Sequence, residues 1–416
     1  MDTVTHGIVG SLFSKAYFSE RYGPVATFAA TVGAMFPDID VVQEIFSTDP
    51  LAVVRYHRGI THSWFGLPAF AVLLAWLTRW LARRLRVESP PWAVLALIYA
   101  VAIASHIILD GMTSFGTRMF TPFSQDRVAW DFLFIIDFTF TAIALAPQFA
   151  AWVHSAPIDN APRRAAASWL FFSLGTLAVW GIARGISFPF HLRIVAVTVT
   201  IFAALFFLLH FTERGHPLRP STWCRAGIYV LIAYGCLCGV AHAAALRRVR
   251  EFANRNHIAT ERIGALPLPP SPLDWGGVIR STTGVYASRF DLRDAQEPQF
   301  VFTPDSPQTS YTARAVGLPE VRLYWNFARF PVVRTHTEGD LHVVEFFDQR
   351  FMTRPSDAPQ PFTYRVVLDD EGNVVEEGWQ SSGGVLTRIQ KMLPHRKTNE
   401  PGAGSRGTRG AKGSAQ

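Results

Sequence analysis

Histidine and acidic residues fall into pairs early in the chain: Asp2 with His6, Asp38 with Asp40, His57 with His62, and His106 with Asp110. His106 and Asp110 stand four apart, which on a helix puts both side chains on one face, a turn apart. An imidazole and a carboxylate at that spacing can grip one divalent metal ion. Asp2 and His6 repeat the spacing, with Asp2 read as the acid of a helix N-terminus. Asp38 and Asp40, directly after Pro37, are close enough in a bent loop to bind or bridge ions. His57 and His62 are five apart, about 140° off one face of a straight helix. A loop is therefore expected there, with Gly59 as the turn that brings both rings inward. Such a metal would lower the pKa of water toward neutrality and polarise a scissile group. A carboxylate off the metal, Asp38 or Asp40, is the candidate general base. Arg58 is the candidate holder of a phosphate or carboxylate. His62 is read as a ligand, or as a group that orients a ligand or binds substrate. Histidine with carboxylate favours zinc, with manganese or iron compatible. No serine nucleophile motif or phosphate-binding glycine loop competes.

The elements that must position these residues are apolar. Hydrophobic residues make up 49% of the 416 and charged ones 17%, against roughly 25% charged in a soluble domain. The apolar excess lies before about residue 246. Residues 1–62 read as motif-bearing loops and short helices at 7–17 and 24–36, each below the roughly 20 residues needed to span a bilayer. Pro37 is expected to end the second. Residues 63–246 read as a membrane domain of about six spans, at 63–81, 92–109, 132–153, 165–183, 194–211 and 226–246. His106 sits in the second, where a polar side chain without partners costs several kcal/mol, and Asp137 in the third. Arginines cluster in alternate loops, and the positive-inside rule puts that side in the cytoplasm, with the His/Asp clusters facing outward. Lys15, Arg21, Arg55 and Arg58 run against this count, falling with the clusters on the outer side. The net charge of +7 is therefore read as topology, with no nucleic-acid partner. Cys224, Cys236 and Cys238 lie in or beside one apolar segment and read as small buried hydrophobes.

Beyond the spans, 247–272 reads as an arginine-rich amphipathic helix, continuing to 262, and a stiff proline-rich linker. Residues 273–395 read as a soluble β domain, with strands at 278–281, 285–290, 321–327 and 341–347. A hairpin joins 363–368 to 374–375 across Asp369-Asp370-Glu371-Gly372-Asn373. Residues 396–416 have the composition of a disordered tail. The fold class is thus an α-helical polytopic membrane protein with a small antiparallel β domain at its C-terminus.

Thr5-His6-Gly7, Phe36-Pro37-Asp38-Ile39-Asp40, His57-Arg58-Gly59-Ile60-Thr61-His62-Ser63 and Ser105-His106-x-x-x-Asp110 together resemble the YdjM-like family of inner-membrane, metal-dependent hydrolases. The motif match covers about residues 1–140, and the His-Arg-Gly-x-Thr-His-Ser block is its most specific piece. The resemblance implies a bacterial inner-membrane location and a metal site at His6, Asp38, Asp40, His57, His106 and Asp110, with His62 beside them. A fainter likeness to helical zinc-dependent phospholipase C rests on the His-x-x-x-Asp pair alone. The reading is a membrane hydrolase with a divalent metal, whose partners are membrane lipids and a lipid-linked (phospho)ester. The alternatives are a transporter with a His106–Asp110–Asp137 relay, or a membrane-anchored binding module with a structural metal.

Overall fold

A computed structural model describes residues 1–47, 49, 51–157, 159–185, 192–207, 219–269, 272–351 and 362–380. It is mostly helical, with two small antiparallel sheets at the C-terminal end. The chain opens on α1 (Thr3–Tyr17), capped by Asp2, whose carboxylate accepts from the Thr5 amide. It turns at Phe18 and returns as α2 (Ser19–Met35). Small residues let these two helices approach closely: a Cβ on Gly10 would stand 2.3 Å from the carbonyl oxygen of Ala30. As expected, the α-helix stops just before Pro37, at Met35, but Pro37 does not stop the helical course of the chain. It sits in a 3-10 turn, Phe36–Asp40, that carries the chain into α3 (Val41–Phe46), because proline is accepted in a helical first turn. Ser19–Gln43 thereby becomes long and apolar enough to cross a membrane.

After α4 (Ala52–Arg55) and a 3-10 turn at Ile60–His62 come α5 (Leu67–Leu85), α6 (Trp92–Gly111), α7 (Phe138–His154), α8 (Ala161–Gly185), α9 (Leu192–Phe207) and α10 (Pro220–Arg255). Among the described residues four helical stretches have the length and hydropathy of a span: Ser19–Gln43, Trp92–Gly111, Ala161–Arg184 and Pro220–Arg255. Within the expected spans at 63–81, 132–153 and 194–211 (residues 208–211 lying outside the described residues), the helices α5, α7 and α9 form without meeting those measures. Arginines enter the end of α5, α7 has 17 residues, and 16 residues of α9 are described.

The helices share two ends. His6, the close of α2 and the close of α6 meet at one end, where Ala34 O accepts from His106 Nδ1. The α1–α2 turn lies at the other, beside the start of α10: Arg225 Nε donates to Ala16 O, and the Ser221 amide donates to Glu20. Lys15 and Arg21 thus join Arg83, Arg84, Arg86, Arg163 and Arg164 at the end remote from the clusters, which corrects the N-terminal part of the charge count. Arg55 and Arg58 stay at the cluster end, each held by a carboxylate.

Helix α10 is continuous from the bundle to Arg255. The strand β1 (Thr260–Pro267) then begins where helix and proline linker were expected. Pro267 is tolerated because it ends an edge strand. β1 pairs with β2 (Asp274–Ser281), β2 with β3 (Gly284–Asp291) and β3 with β4 (Val301–Pro304). Two helices follow, α11 (Ser310–Val316) and α12 (Pro319–Phe327). The second occupies a segment expected as strand. Pro319 starts it, and Val321, Tyr324 and Phe327 bury one face at spacings of three. β5 (Pro331–Glu338), β6 (Leu341–Asp348), β7 (Tyr364–Leu368) and β8 (Val374–Trp379) make the second meander, and the last two are the hairpin read from sequence. Leu266, Val278 and Val285 of the first sheet share a core with Phe330, Val332 and Phe347 of the second segment. The expected tail at 396–416 lies outside the described residues.

This C-terminal domain sits on the cluster end of the bundle. Leu51, Val54 and Phe115 are buried in one core with Tyr324, Phe327 and Phe346. Arg329 makes a two-pronged ion pair with Asp131, both contacts at 2.7 Å.

Candidate metal centre

One whole cluster, His106 with Asp110, and one member each of two others, Asp38 and His62, converge on one buried point. Asp38 comes from the 3-10 turn after α2, His62 from the turn before α5, and His106 and Asp110 from the last turns of α6. One donor atom from each lies within 4.8 Å of the others. His62 Nε2 is 3.4 Å from Asp38 Oδ1 and 3.4 Å from Asp110 Oδ2; His106 Nε2 is 3.5 Å from the same two oxygens. A tetrahedral ion with bonds of about 2.1 Å has ligand-to-ligand edges of about 3.4 Å. Four edges of this donor set match that spacing.

The orientation of each ring follows from its other nitrogen. His106 Nδ1 is 2.7 Å from the carbonyl oxygen of Ala34, and His62 Nδ1 is 3.2 Å from Asp40 Oδ2. Both Nε2 atoms then face the centre and have no hydrogen-bond partner, although both side chains are fully buried. A histidine held through one nitrogen and bare at the other is the usual form of a metal ligand. Buried polar atoms are otherwise nearly always paired. The residues present therefore fit a divalent metal, and the N₂O₂ donor set fits zinc.

Asp40 and His57 form a layer around this centre. His57 Nδ1 is 2.8 Å from Asp40 Oδ1, and Asp40 Oδ2 accepts from the Arg58 amide at 2.9 Å and from Thr61 Oγ1 at 3.1 Å. His6, which with Asp40 and His57 the resemblance implied as a ligand, lies like them beside the donor set rather than in it: its ring stacks on His106 at 3.6 Å, with Nε2 3.3 Å from Asp110 Oδ1. The Met1 amine is also buried against Asp110 Oδ1. Asp2 stays outside as the cap of α1.

Arg58 is wholly inside the protein. Its Nε lies 3.0 Å from Asp110 Oδ2, which accepts no hydrogen bond, and its Nη1 donates to Thr113 and Thr117. The sharp turn that brings His57 and His62 together is taken by Arg58 itself, at φ 62°, while Gly59 has φ −88°. A left-handed arginine is a strained residue, kept only where its surroundings fix it. Burial opposes the charged form of His62, but the carboxylates of Asp110, Asp38 and Asp40 outweigh it and raise its pKa to about 10. A metal must displace that proton to take Nε2.

Sequence reasoning missed three parts of this site. Thr3 Oγ1 donates to Asp38 Oδ2 at 2.5 Å, Ala34 supplies a backbone carbonyl, and Thr113 and Thr117 hold Arg58. None of these carried a signal in the sequence, because each acts through a contact with a distant segment. Asp137, the third-span carboxylate, stands apart: it caps α7 and accepts from Tyr234.

No curated protein and no solved structure matches this chain. Residues 1–187, which contain every residue of the pocket, match the family model described as the YdjM inner membrane protein.

Proposed function

We propose that the protein is an integral membrane hydrolase that uses one divalent metal, zinc by its donor set, on a lipid or lipid-linked ester or phosphoester. The observation that carries the reading is the convergence of two unpaired imidazole nitrogens and two carboxylate oxygens at 3.4–3.5 Å. Asp38, His62, His106 and Asp110 would hold the ion, which would supply Lewis acidity toward an ester or phosphoester oxygen and acidify water. Asp40 fixes His62 from behind, and the Ala34 carbonyl fixes His106. Arg58 holds Asp110 in place and adds positive charge next to where an anionic group would arrive. Asp38 is the ligand carboxylate least enclosed, with 8% of its side chain exposed. The arginine-rich end of the bundle is the cytoplasmic one by the positive-inside rule, and the pocket and the C-terminal domain then face the exterior.

A transporter relay is less well supported, since Asp137 serves as a helix cap paired with Tyr234 rather than as a neighbour of Asp110. Elemental analysis of the purified protein, followed by turnover on phosphoesters with His106→Ala and Asp110→Ala, tests the proposal. Stoichiometric metal and turnover lost in both variants support it. Metal-free protein, or turnover that survives both substitutions, sinks it.

A further inference from the structure

The pocket is closed on the side of the C-terminal domain. Thr113, Phe115, Gly116 and Thr117 are buried over Arg58, and the Phe115 ring lies against Phe327 of α12. His62, His106 and Asp110 have no exposed surface at all. The polar members that reach the surface are Asp38, with 8% of its side chain exposed, Asp40, with 6%, and His57 behind Asp38, with 15%.

Most exposed residues around Asp38 and His57 are apolar, Gln43 and the Arg55 side chain excepted. Val4 follows the Thr3 that bonds Asp38. Met35, Ile39 and Val42 flank Asp38 along its own segment, and Tyr56 and Ile60 flank His57. A water-facing entrance to a charged pocket would be expected to carry polar rim residues. Phe28 and Met35, seven apart on one face of α2, and Ile39 and Val42, three apart across the 3-10 turn into α3, are also all exposed. They form the outer stripe of the candidate span Ser19–Gln43. The lipid-facing surface of that span therefore runs without a break to the edge of Asp38.

We infer that the pocket takes its substrate sideways from the bilayer. The substrate is an amphipathic lipid whose headgroup linkage enters at Asp38, between the start of α1 and the 3-10 turn, while its acyl chains stay on the Phe28–Met35–Ile39–Val42 stripe. The chemistry of this proposal rests on the metal-site reading above; the geometry of the entrance does not.

Two measurements on the full-length protein in phospholipid vesicles test it without reading turnover. The first uses single nitroxides at Ile39→Cys and Val42→Cys in a background with Cys236 replaced by Ala. Val230→Cys, exposed in mid-span, and Asp340→Cys, in the exposed β5–β6 turn, serve as references. Labels at 39 and 42 are expected to follow 230, relaxed by oxygen rather than by a water-soluble nickel chelate; behaviour like that of 340 overturns the proposal. The second uses a phospholipid with a diazirine beside its headgroup. Crosslinks are expected on the peptides holding Val4 and Ile39, and Val42→Arg should cut their yield roughly tenfold, since a guanidinium is costly where acyl chains must lie. Crosslinks absent from both peptides, or unchanged by Val42→Arg, overturn it. Absence of bound metal would sink the hydrolase reading and leave these outcomes unaffected.

Discussion

The molecule buries two clusters of charge, and they are built in opposite ways. In the C-terminal domain, Asp348 and Arg350 form a buried ion pair at 2.6 Å. Asp348 also accepts from the amides of Arg329, Phe330 and Arg350. Arg350 donates to the carbonyls of Ser114, Phe115 and Phe327. Each charged group there meets its partners, and the pair ties the domain to the loop after α6. At the candidate metal centre the protein leaves His62 Nε2, His106 Nε2 and Asp110 Oδ2 without a hydrogen bond in an equally dry place. Burial alone thus does not separate structure from function here. What separates them is whether the donors and acceptors are used up inside the protein.

Breaking the centre should give the largest effect. Loss of an imidazole ligand in His106→Ala should lower metal affinity by more than the roughly 10–100-fold typical of an outer partner, so that protein dialysed against trace metal comes out empty by elemental analysis. Wild-type metal content in that variant would put His106 back among packing residues.

Breaking the saturated pair should cost stability instead. Asp348→Ala leaves the Arg350 guanidinium buried without its carboxylate, a change worth about 3–5 kcal/mol, seen as a lower thermal midpoint in detergent. Below that midpoint the variant should still bind metal with the wild-type stoichiometry. A folded Asp348→Ala protein that had lost its metal would show that the two clusters are one unit.

Asp40 lies between the extremes, as it touches the centre only through His62. Asp40→Asn keeps the shape and removes the charge, so metal affinity should fall roughly 10–100-fold while the thermal midpoint of metal-free protein moves little. Competition with a chelator of known affinity measures the first, and scanning after chelator treatment the second. A fall as large as that for His106→Ala would make Asp40 a ligand.

The legibility of these clusters differed for physical reasons. His106 and Asp110 could be read because helical spacing is regular and an apolar helix makes any polar residue conspicuous. Asp38 could be read from its proline. His62 was harder to weigh, since five residues from His57 is off-phase on a helix, and the left-handed turn that corrects the phase falls on Arg58 rather than on the glycine beside it. Asp348 and Arg350 left no trace, because their meaning depends on carbonyls more than two hundred residues away. The span Ser19–Gln43 was cut short at Pro37, and the strand at 321–327 was a helix, for one reason: proline inside a first turn starts a helix as well as it stops one. In Val321 to Phe327 five of seven positions are apolar or aromatic, and with only Arg322 and Asn326 polar, periods of two and three fit alike until burial decides.

The smallest expected effect tests how finely the centre is positioned. Thr3 Oγ1 donates to Asp38 Oδ2, the oxygen turned away from the histidines, while Asp38 Oδ1 faces them. That bond keeps Oδ1 pointed inward at the pocket's one partly exposed ligand. Removing it in Thr3→Ala should cost about 1 kcal/mol, the ordinary worth of a hydrogen bond to a protein group, and so weaken metal binding severalfold by the same chelator competition. Thr3→Ser, which retains the hydroxyl, should restore it. If alanine and serine behave alike, Asp38 is oriented by its own 3-10 turn, and the start of α1 contributes His6 to the pocket but no control over its most accessible ligand.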